Sequence, residues 1–180
     1  MAFAVIRTDL MSGTKQPADL VSLRFYNASD EQAEVENGVI VQLQGYEDNE
    51  REVMKAVAAA AGADLNECAI VAGVEVMYDE RKKNLDEYIN EAGKAVRGYI
   101  PRSRNVFSIT KEGFVGGTVP AVGDEVGIGT DGKIDAAGTG LGTCVHIETA
   151  GRYTYYTIKI TRAQEINVSN EESNEEPSET

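Results

Sequence analysis

The feature that most constrains the fold is a hydrophobic period of two residues that recurs along the chain. Val21, Leu23 and Phe25 fall on one face of an extended segment, and residues 39–44 and 69–78 repeat the alternation. Successive side chains of a strand point to opposite faces, so this period predicts half-buried β-strands.

The last third of the chain continues the alternation in shorter pieces. A glycine-rich stretch at 113–142 contains an Asp131-Gly132 hairpin signal and precedes alternating segments at 143–148 and 152–160. Short strands separated by glycine turns are typical of a small barrel or a compact antiparallel sheet. We therefore expect a small β-barrel, or a compact antiparallel sheet, at 115–162.

Two segments show a helical period instead. In the first, Leu85, Tyr88, Ile89 and Ala92 recur at the spacing of one helix face, which predicts an amphipathic helix at about 79–92. In the second, 50–61, the apolar residues fit either a helix or a strand leading out of an antiparallel pair. The fold class expected is mainly β (α+β), an antiparallel sheet or small β-barrel with one clear amphipathic helix.

Composition divides the chain into three parts. Residues 1–20, apolar at first and then polar, predict an extended N-terminal arm. Residues 21–162 predict one β-rich domain with a sub-boundary near 103–115. Residues 163–180 hold six acidic and no basic residues, which is typical of a disordered acidic tail.

Charge and length limit the partners. Seventeen basic against 30 acidic residues give a net charge of -13, which argues against nucleic acid or an anionic membrane as the main partner. No apolar run approaches the roughly 18 residues of a spanning helix. Two distant cysteines, Cys68 and Cys144, predict buried, reduced thiols and synthesis inside a cell.

No segment predicts catalysis. The single histidine, His146, alternates with Val145 and Ile147 and is expected to be an ordinary strand residue beside Cys144. Residues 127–132 match the letters of a dinucleotide-binding glycine fingerprint, but no helical period follows them, so we expect hairpin turns. We predict no enzyme activity, no cofactor and no metal site.

One stretch, 76–104, concentrates basic and aromatic residues in an otherwise acidic chain. It holds seven of the 17 basic residues, and Lys111 follows it. Tyrosine and arginine dominate the hot spots of protein interfaces, because each combines a large apolar body with directional donors. The stretch predicts either such an interface or a solvated helix with ion pairs, and single-stranded nucleic acid is a third, lower-ranked partner.

Several motifs carry a family resemblance. EREV, the run GVEVMYDERKKNLDEYINEAGKAVRGYIPRSRNVFSIT, PAVGDEVGI and GRYTYYTIKI span 50–160. Together they resemble small head-associated structural proteins of tailed bacteriophages and prophages. The most specific parts are VMYDERKKNLDEY, NEAGKAVRGY and GRYTYY. The resemblance implies an auxiliary or decoration protein that stabilises an icosahedral shell by bridging capsid subunits, and it implies no catalytic residues.

The same resemblance implies the partners and the location. We expect the major capsid protein as partner, self-association into a homo-oligomer such as a trimer, and a place on the capsid surface of the virion after synthesis in the bacterial host cytoplasm. The hypothetical capsid or subunit interface comprises Met1, Phe3, Val5, Ile6, Tyr78, Arg81, Tyr88, Arg97, Tyr99 and Arg102.

Two alternatives remain open at this point. In the first, the chain is a phage carbohydrate-binding module with Tyr153, Tyr155 and Tyr156 as a stacking platform. In the second, it is a neck or tail structural component and not a capsid decoration protein. The absence of tryptophan weakens the first alternative, and so does the expectation that at least one of these tyrosines faces the core.

Overall fold

A computed structural model of the chain describes residues 2–8, 19–77 and 84–161. These residues form two β-sheets, one of them a closed five-stranded barrel, so the prediction of a mainly β fold is confirmed. The strands are β1 (Ile6–Arg7), β2 (Leu20–Tyr26), β3 (Ile40–Tyr46), β4 (Val53–Ala58), β5 (Cys68–Val71), β6 (Val96–Tyr99), β7 (Val106–Ile109), β8 (Glu125–Ile128), β9 (Ile134–Asp135), β10 (Gly140–Ala150) and β11 (Tyr153–Ile160).

The barrel is built from the first half of the chain, in the order β2-β4-β3-β5-β6. Strands β2 and β4 are parallel, and the other pairs are antiparallel. Its interior contains Leu23, Val41, Ala56, Val71 and Val96, all buried. Short aliphatic side chains of this kind fill the narrow interior that five strands leave.

The second sheet has the order β1-β7-β11-β10-β8-β9, with every neighbouring pair antiparallel. Its inner face, which carries Phe107 and Ile158, belongs to the same buried cluster as Ile40 and Ile70 of the barrel. Because Ile40 and Ile70 alternate with residues that point into the barrel, β5 and the first two residues of β3 are buried on both faces. The main core therefore lies between the barrel and the sheet.

The closed barrel forms from an earlier part of the chain than the one predicted. For 115–162 the small-barrel alternative is wrong and the antiparallel-sheet alternative is observed, because β8, β9, β10 and β11 contribute to the open sheet and the barrel strands lie within 20–99. Glycine turns predict antiparallel neighbours, but they do not distinguish a closed sheet from an open one. The prediction of hairpin turns at 127–132 is confirmed, since Thr130–Gly132 is a 3₁₀ turn joining β8 to β9.

The predicted helix at 79–92 is not observed. Residues 78–83 lie outside the described residues, and residues 84–92 contain only a 3₁₀ turn, Leu85–Glu87, before the chain becomes extended. Asn90 then forms a β-bridge with Val35, and its amide donates to the Val35 carbonyl oxygen at 2.9 Å. This pairing with a distant segment overrides the helical period.

Segment 50–61 adopts the second of its two predicted conformations. Within it, β4 lies between β2 and β3, and Ala56 at its centre is fully buried. The small side chains of Ala56 and Ala58 fit the barrel wall, and residues 59–61 of the alanine run follow the end of the strand. The strand interpretation is therefore confirmed, and the helix interpretation is wrong.

The N-terminal residues belong to the core. Ile6 and Arg7 pair with Ile109 and Ser108, and Val5 is 1% exposed. The amide of Val5 donates to the Thr110 hydroxyl at 3.1 Å, and the Thr110 amide donates back to the Val5 carbonyl at 3.0 Å. An extended arm is therefore the wrong description of residues 2–8. The predicted acidic tail, 163–180, lies outside the described residues.

Within the described part of the chain, no helix has the length and apolar character needed to cross a membrane.

Candidate interaction surface

The predicted interface residues that the structure describes do not come together on one surface. Val5, Ile6 and Tyr99 are buried in the core, Tyr99 because it points from β6 towards the sheet. Phe3 is half-buried and donates its amide to the Asp86 carbonyl at 2.9 Å. Met1, Tyr78 and Arg81 lie outside the described residues.

The other predicted positions are dispersed. Arg97 is exposed on β6 of the barrel. Arg102 is exposed near the start of β2, where its Nε donates to Asp19 at 2.7 Å. Tyr88 is half-buried and donates its hydroxyl to Asn90 Oδ1 at 3.0 Å. The described residues of 76–104 therefore do not present a continuous basic and aromatic surface.

A different group of side chains forms a compact polar and aromatic surface. It lies on the outer face of the six-stranded sheet, where the β10–β11 hairpin meets β1 and the 3₁₀ turn at Leu85–Glu87. We call it the tyrosine–arginine cluster, and it consists of Arg7, Asp86, Glu148, Arg152, Tyr153 and Tyr155.

Asp86 organises one half of this cluster. Its two carboxylate oxygens accept hydrogen bonds from Arg152 Nη2 and from the Tyr153 hydroxyl, each at 2.9 Å. The Arg152 guanidinium also lies over the Tyr153 ring, 5.2 Å from its centroid. Asp86 is largely buried whereas Arg152 is more than half exposed, so the arginine presents one face to solvent.

Arg7 organises the other half. Its guanidinium forms an ion pair with Glu148 and lies 5.3 Å from the centroid of the Tyr155 ring. The rings of Tyr153 and Tyr155 are 6.1 Å apart and tilted, because alternate residues of β11 share a face. Two arginines, two tyrosines and two carboxylates therefore form one connected group with balanced charge.

The predicted stacking platform of three tyrosines is not formed. Tyr156 points to the opposite face of β11 and packs edge-on against Phe114, with the ring centroids 5.5 Å apart. Tyr155 is only 5% exposed. The expectation that at least one of the three tyrosines faces the core is confirmed, and a flat platform made of all three is excluded.

A buried amide pair supports the segments behind the cluster. Asn37 and Asn90 are nearly inaccessible, and Asn90 Nδ2 donates to Asn37 Oδ1 at 2.9 Å. Asn37 also exchanges hydrogen bonds with the backbone of Gly73, where a Cβ atom would overlap the Asn90 amide. Buried amides are retained when their partners are complete, so this pair holds 72–75 and 88–90 in place.

Burial changes the ionisation of groups around the cluster. It raises the pKa of Glu75, against a hydrogen bond from Asn37 that lowers it. Burial also raises the pKa of the Tyr155 phenol, opposed by the nearby Arg7 charge. The pKa of Tyr153 is raised first by burial and then by the hydrogen bond to Asp86. The tyrosines therefore stay neutral donors, and the cluster is suited to recognition.

The histidine and the cysteines lie elsewhere in the sheet and the barrel. A β-bulge between Cys144 and His146 leaves Val145 and His146 exposed, while Cys144 and Ile147 both face the core. The strict alternation predicted for this segment is therefore wrong at the bulge. Burial raises the pKa of the Cys144 thiol, and it raises that of Cys68 to about 11, so both thiols stay protonated.

Of this cluster, the sequence patterns predicted only Tyr153 and Tyr155 as binding residues, and as part of a carbohydrate platform. Arg7, Asp86, Glu148 and Arg152 were not recognised, because their contacts join residues up to 141 positions apart. Two of these residues lie in motifs quoted for the resemblance, Asp86 in VMYDERKKNLDEY and Arg152 in GRYTYY, whereas Arg7 and Glu148 lie in neither. In the structure, Asp86 joins these two motifs.

Comparison with protein-family models, with curated proteins and with solved structures finds no match. Within the described residues, no group of three or more histidine, cysteine, aspartate or glutamate side chains is arranged to hold a metal ion.

Proposed function

We propose that this protein is an auxiliary structural protein of a tailed-bacteriophage head and that it binds the capsid shell through the tyrosine–arginine cluster. The observation that carries the proposal is the convergence of two resemblance motifs on Asp86, which accepts from Arg152 and Tyr153. Motifs 63 residues or more apart in the chain thus supply a single surface group.

The chemistry of the cluster suits protein binding. Arginine and tyrosine are over-represented among interface hot spots, and the planar guanidinium carries five donors in a fixed geometry that suits carboxylates and aromatic faces. Both arginines are already held against tyrosine rings and carboxylates, so little side-chain entropy remains to be lost on binding. A partner would therefore meet a preformed surface.

The mechanism in this proposal is mechanical. Each copy contacts neighbouring capsid subunits, and the binding energy available only to the assembled lattice stabilises that lattice by mass action. The protein would be present in many copies on the capsid surface, as a homo-oligomer, with the major capsid protein as its partner. Its identity as a head protein predicts a fixed ratio to that partner in purified virions, which quantitative mass spectrometry measures.

The cluster is tested by adding purified protein to shells that lack it and measuring the bound fraction by co-sedimentation. Truncating Arg152 to alanine removes its hydrogen bond to Asp86 and its contact with Tyr153. A hot-spot truncation costs about 2–4 kcal/mol, which corresponds to a roughly 30- to 1,000-fold weaker affinity. Arg97→Ala is the matched control, because it removes an exposed arginine from the barrel.

Two results would contradict the proposal. Equal binding by Arg152→Ala and Arg97→Ala would show that the cluster only fastens the hairpin to the 3₁₀ turn at Leu85–Glu87. A copy number of about a dozen or fewer per virion would favour a neck or tail component instead. Circular dichroism of each variant confirms that the fold is retained.

A further inference from the structure

A separate cleft opens at one end of the barrel. Its volume is about 670 Å³, within the range of small-molecule sites in proteins. The parallel strands β2 and β4 end together at this opening, with Tyr26 opposite Val57. The cleft is lined by Phe25, Tyr26, Asn27, Asp30, Gln44 and Asp131, together with the small residues at 57–60 and Ala28.

The walls of the cleft are fixed from two directions. Phe25 packs against the barrel core but remains partly exposed, so it presents apolar surface at the opening. On the other side, the turn at Thr130–Gly132 packs directly on β3, because a Cβ atom at Gly132 would overlap the Ile40 carbonyl oxygen. This contact positions Asp131 at the rim, so the cleft exists before any ligand arrives.

The polar groups of the cleft restrict the charge of a ligand. Lys55 forms an ion pair with Asp30 and lies over the Tyr26 ring, 4.6 Å from its centroid. A cationic ligand would find the face of Tyr26 occupied and a lysine charge beside it. An anionic ligand would meet the carboxylates of Asp30 and Asp131 in a chain of net charge -13.

The remaining polar groups can serve a neutral ligand with many hydroxyls. Gln44 and Asp131 make no side-chain hydrogen bond or ion pair within the described residues, so their amide and carboxylate are available. An amide supplies donors and an acceptor, and a carboxylate supplies acceptors for hydroxyl groups. The aromatic ring of Phe25 and the alanine-lined floor supply apolar contact for the C–H face of a sugar ring.

We propose that this cleft is a binding site for a neutral saccharide. This site differs from the tyrosine platform, because it lies at the barrel opening and shares no residue with the tyrosine–arginine cluster. It therefore adds a second binding surface to the proposed head protein, and its test is independent of capsid binding.

The test is a titration of the ¹⁵N-labelled full chain with a panel of neutral monosaccharides and disaccharides, followed by nuclear magnetic resonance. We expect at least one saccharide to give saturable shifts at the backbone amides of 58–60 and Gly132. Asp131→Asn and Gln44→Ala should each weaken that binding about tenfold, as expected for loss of one strong hydrogen bond. Asparagine tolerates the positive φ of position 131, so the turn is preserved.

Asp48→Asn is the matched control, because it makes the same chemical change in an exposed turn outside the cleft. The proposal is overturned if no saccharide in the panel gives saturable shifts at these amides. It is also overturned if saccharide binding is equal in Asp131→Asn, Gln44→Ala and Asp48→Asn. Saturable shifts with alkylammonium ions in place of sugars would assign the cleft to cations and contradict it as well.

Discussion

Replacing Val5 with alanine tests whether the N-terminal residues belong to the folded core. Val5 is 1% exposed, its amide donates to the Thr110 hydroxyl, and its carbonyl oxygen accepts from the Thr110 amide. A free arm would tolerate the substitution, whereas a docked edge strand would not. Val122→Ala is the matched control, since Val122 is 59% exposed and undergoes the same chemical change.

The expected magnitude follows from burial. Valine to alanine removes the equivalent of two CH₂ groups, each worth about 0.8 kcal/mol when buried. The cavity left behind adds to this loss, because the surrounding core relaxes only partly. We expect Val5→Ala to lower the free energy of unfolding by about 2–3 kcal/mol. Val122→Ala should change it by no more than about 0.5 kcal/mol.

Urea unfolding followed by circular dichroism measures the difference. With a slope of about 2 kcal/mol per molar urea for a domain of this size, Val5→Ala should lower the midpoint by about 1–1.5 M. Ile6→Val, which removes one methylene beside Val5, should give a smaller loss of about 0.5–1.5 kcal/mol. Midpoints of Val5→Ala and Val122→Ala that coincide would refute the docked strand and restore the arm.

Two further predictions concern the core and pH. Tyr99→Ala should lower the free energy of unfolding by about 3–5 kcal/mol, whereas Arg97→Ala on the same strand should change it by about 0.5 kcal/mol or less. Equal urea midpoints for the two variants would contradict the buried position of Tyr99. Glu75→Gln should stabilise the protein at pH 7 and not at pH 4. Burial raises the pKa of Glu75 in the folded state, so its charged form lowers the free energy of unfolding as the pH rises from the ordinary glutamate pKa through the raised folded pKa. Urea midpoints that do not depend on Glu75 at either pH would contradict this assignment.

Much of the strand content was predictable because it follows from local alternation. Val21, Leu23 and Phe25 face the barrel interior as their spacing predicts. Strand β5 and the start of β3 satisfy the same rule, but there the other face is also buried, since Ile40 and Ile70 pack against the sheet. Alternation identifies one buried face; it does not reveal that a second layer covers the other.

The segment predicted as a helix shows that a helical hydrophobic period alone does not determine the conformation. Tyr88 and Ile89 fit a helix face, yet the neighbouring Asn90 pairs with Val35 and completes the hydrogen bonds of Asn37. An asparagine that is 6% exposed must satisfy its amide, and in this fold the partners are more than 50 residues away. Long-range satisfaction of a buried polar group therefore decides the conformation of this segment.

Barrel closure and the tyrosine–arginine cluster were not predictable for the same reason. Closure depends on the pairing of β2 with β6, and the cluster depends on β1 lying beside β7 and on Asp86 reaching the β10–β11 hairpin. Each of these contacts joins residues at least 67 positions apart in the chain. The quoted motifs contain Asp86 and Arg152 but neither Arg7 nor Glu148, and only the fold places these four residues on one surface.

Charge explains why a neutral cluster suits the proposed assembly. The chain carries -13 overall, so copies gathered on a shell repel one another wherever acidic surfaces approach within about 8–10 Å, the screening length at physiological salt. In the cluster, Arg7 and Arg152 balance Glu148 and Asp86. Contact through this surface brings together side chains whose charges are already paired, so the attraction of aromatic and guanidinium groups is not opposed by a local excess of negative charge.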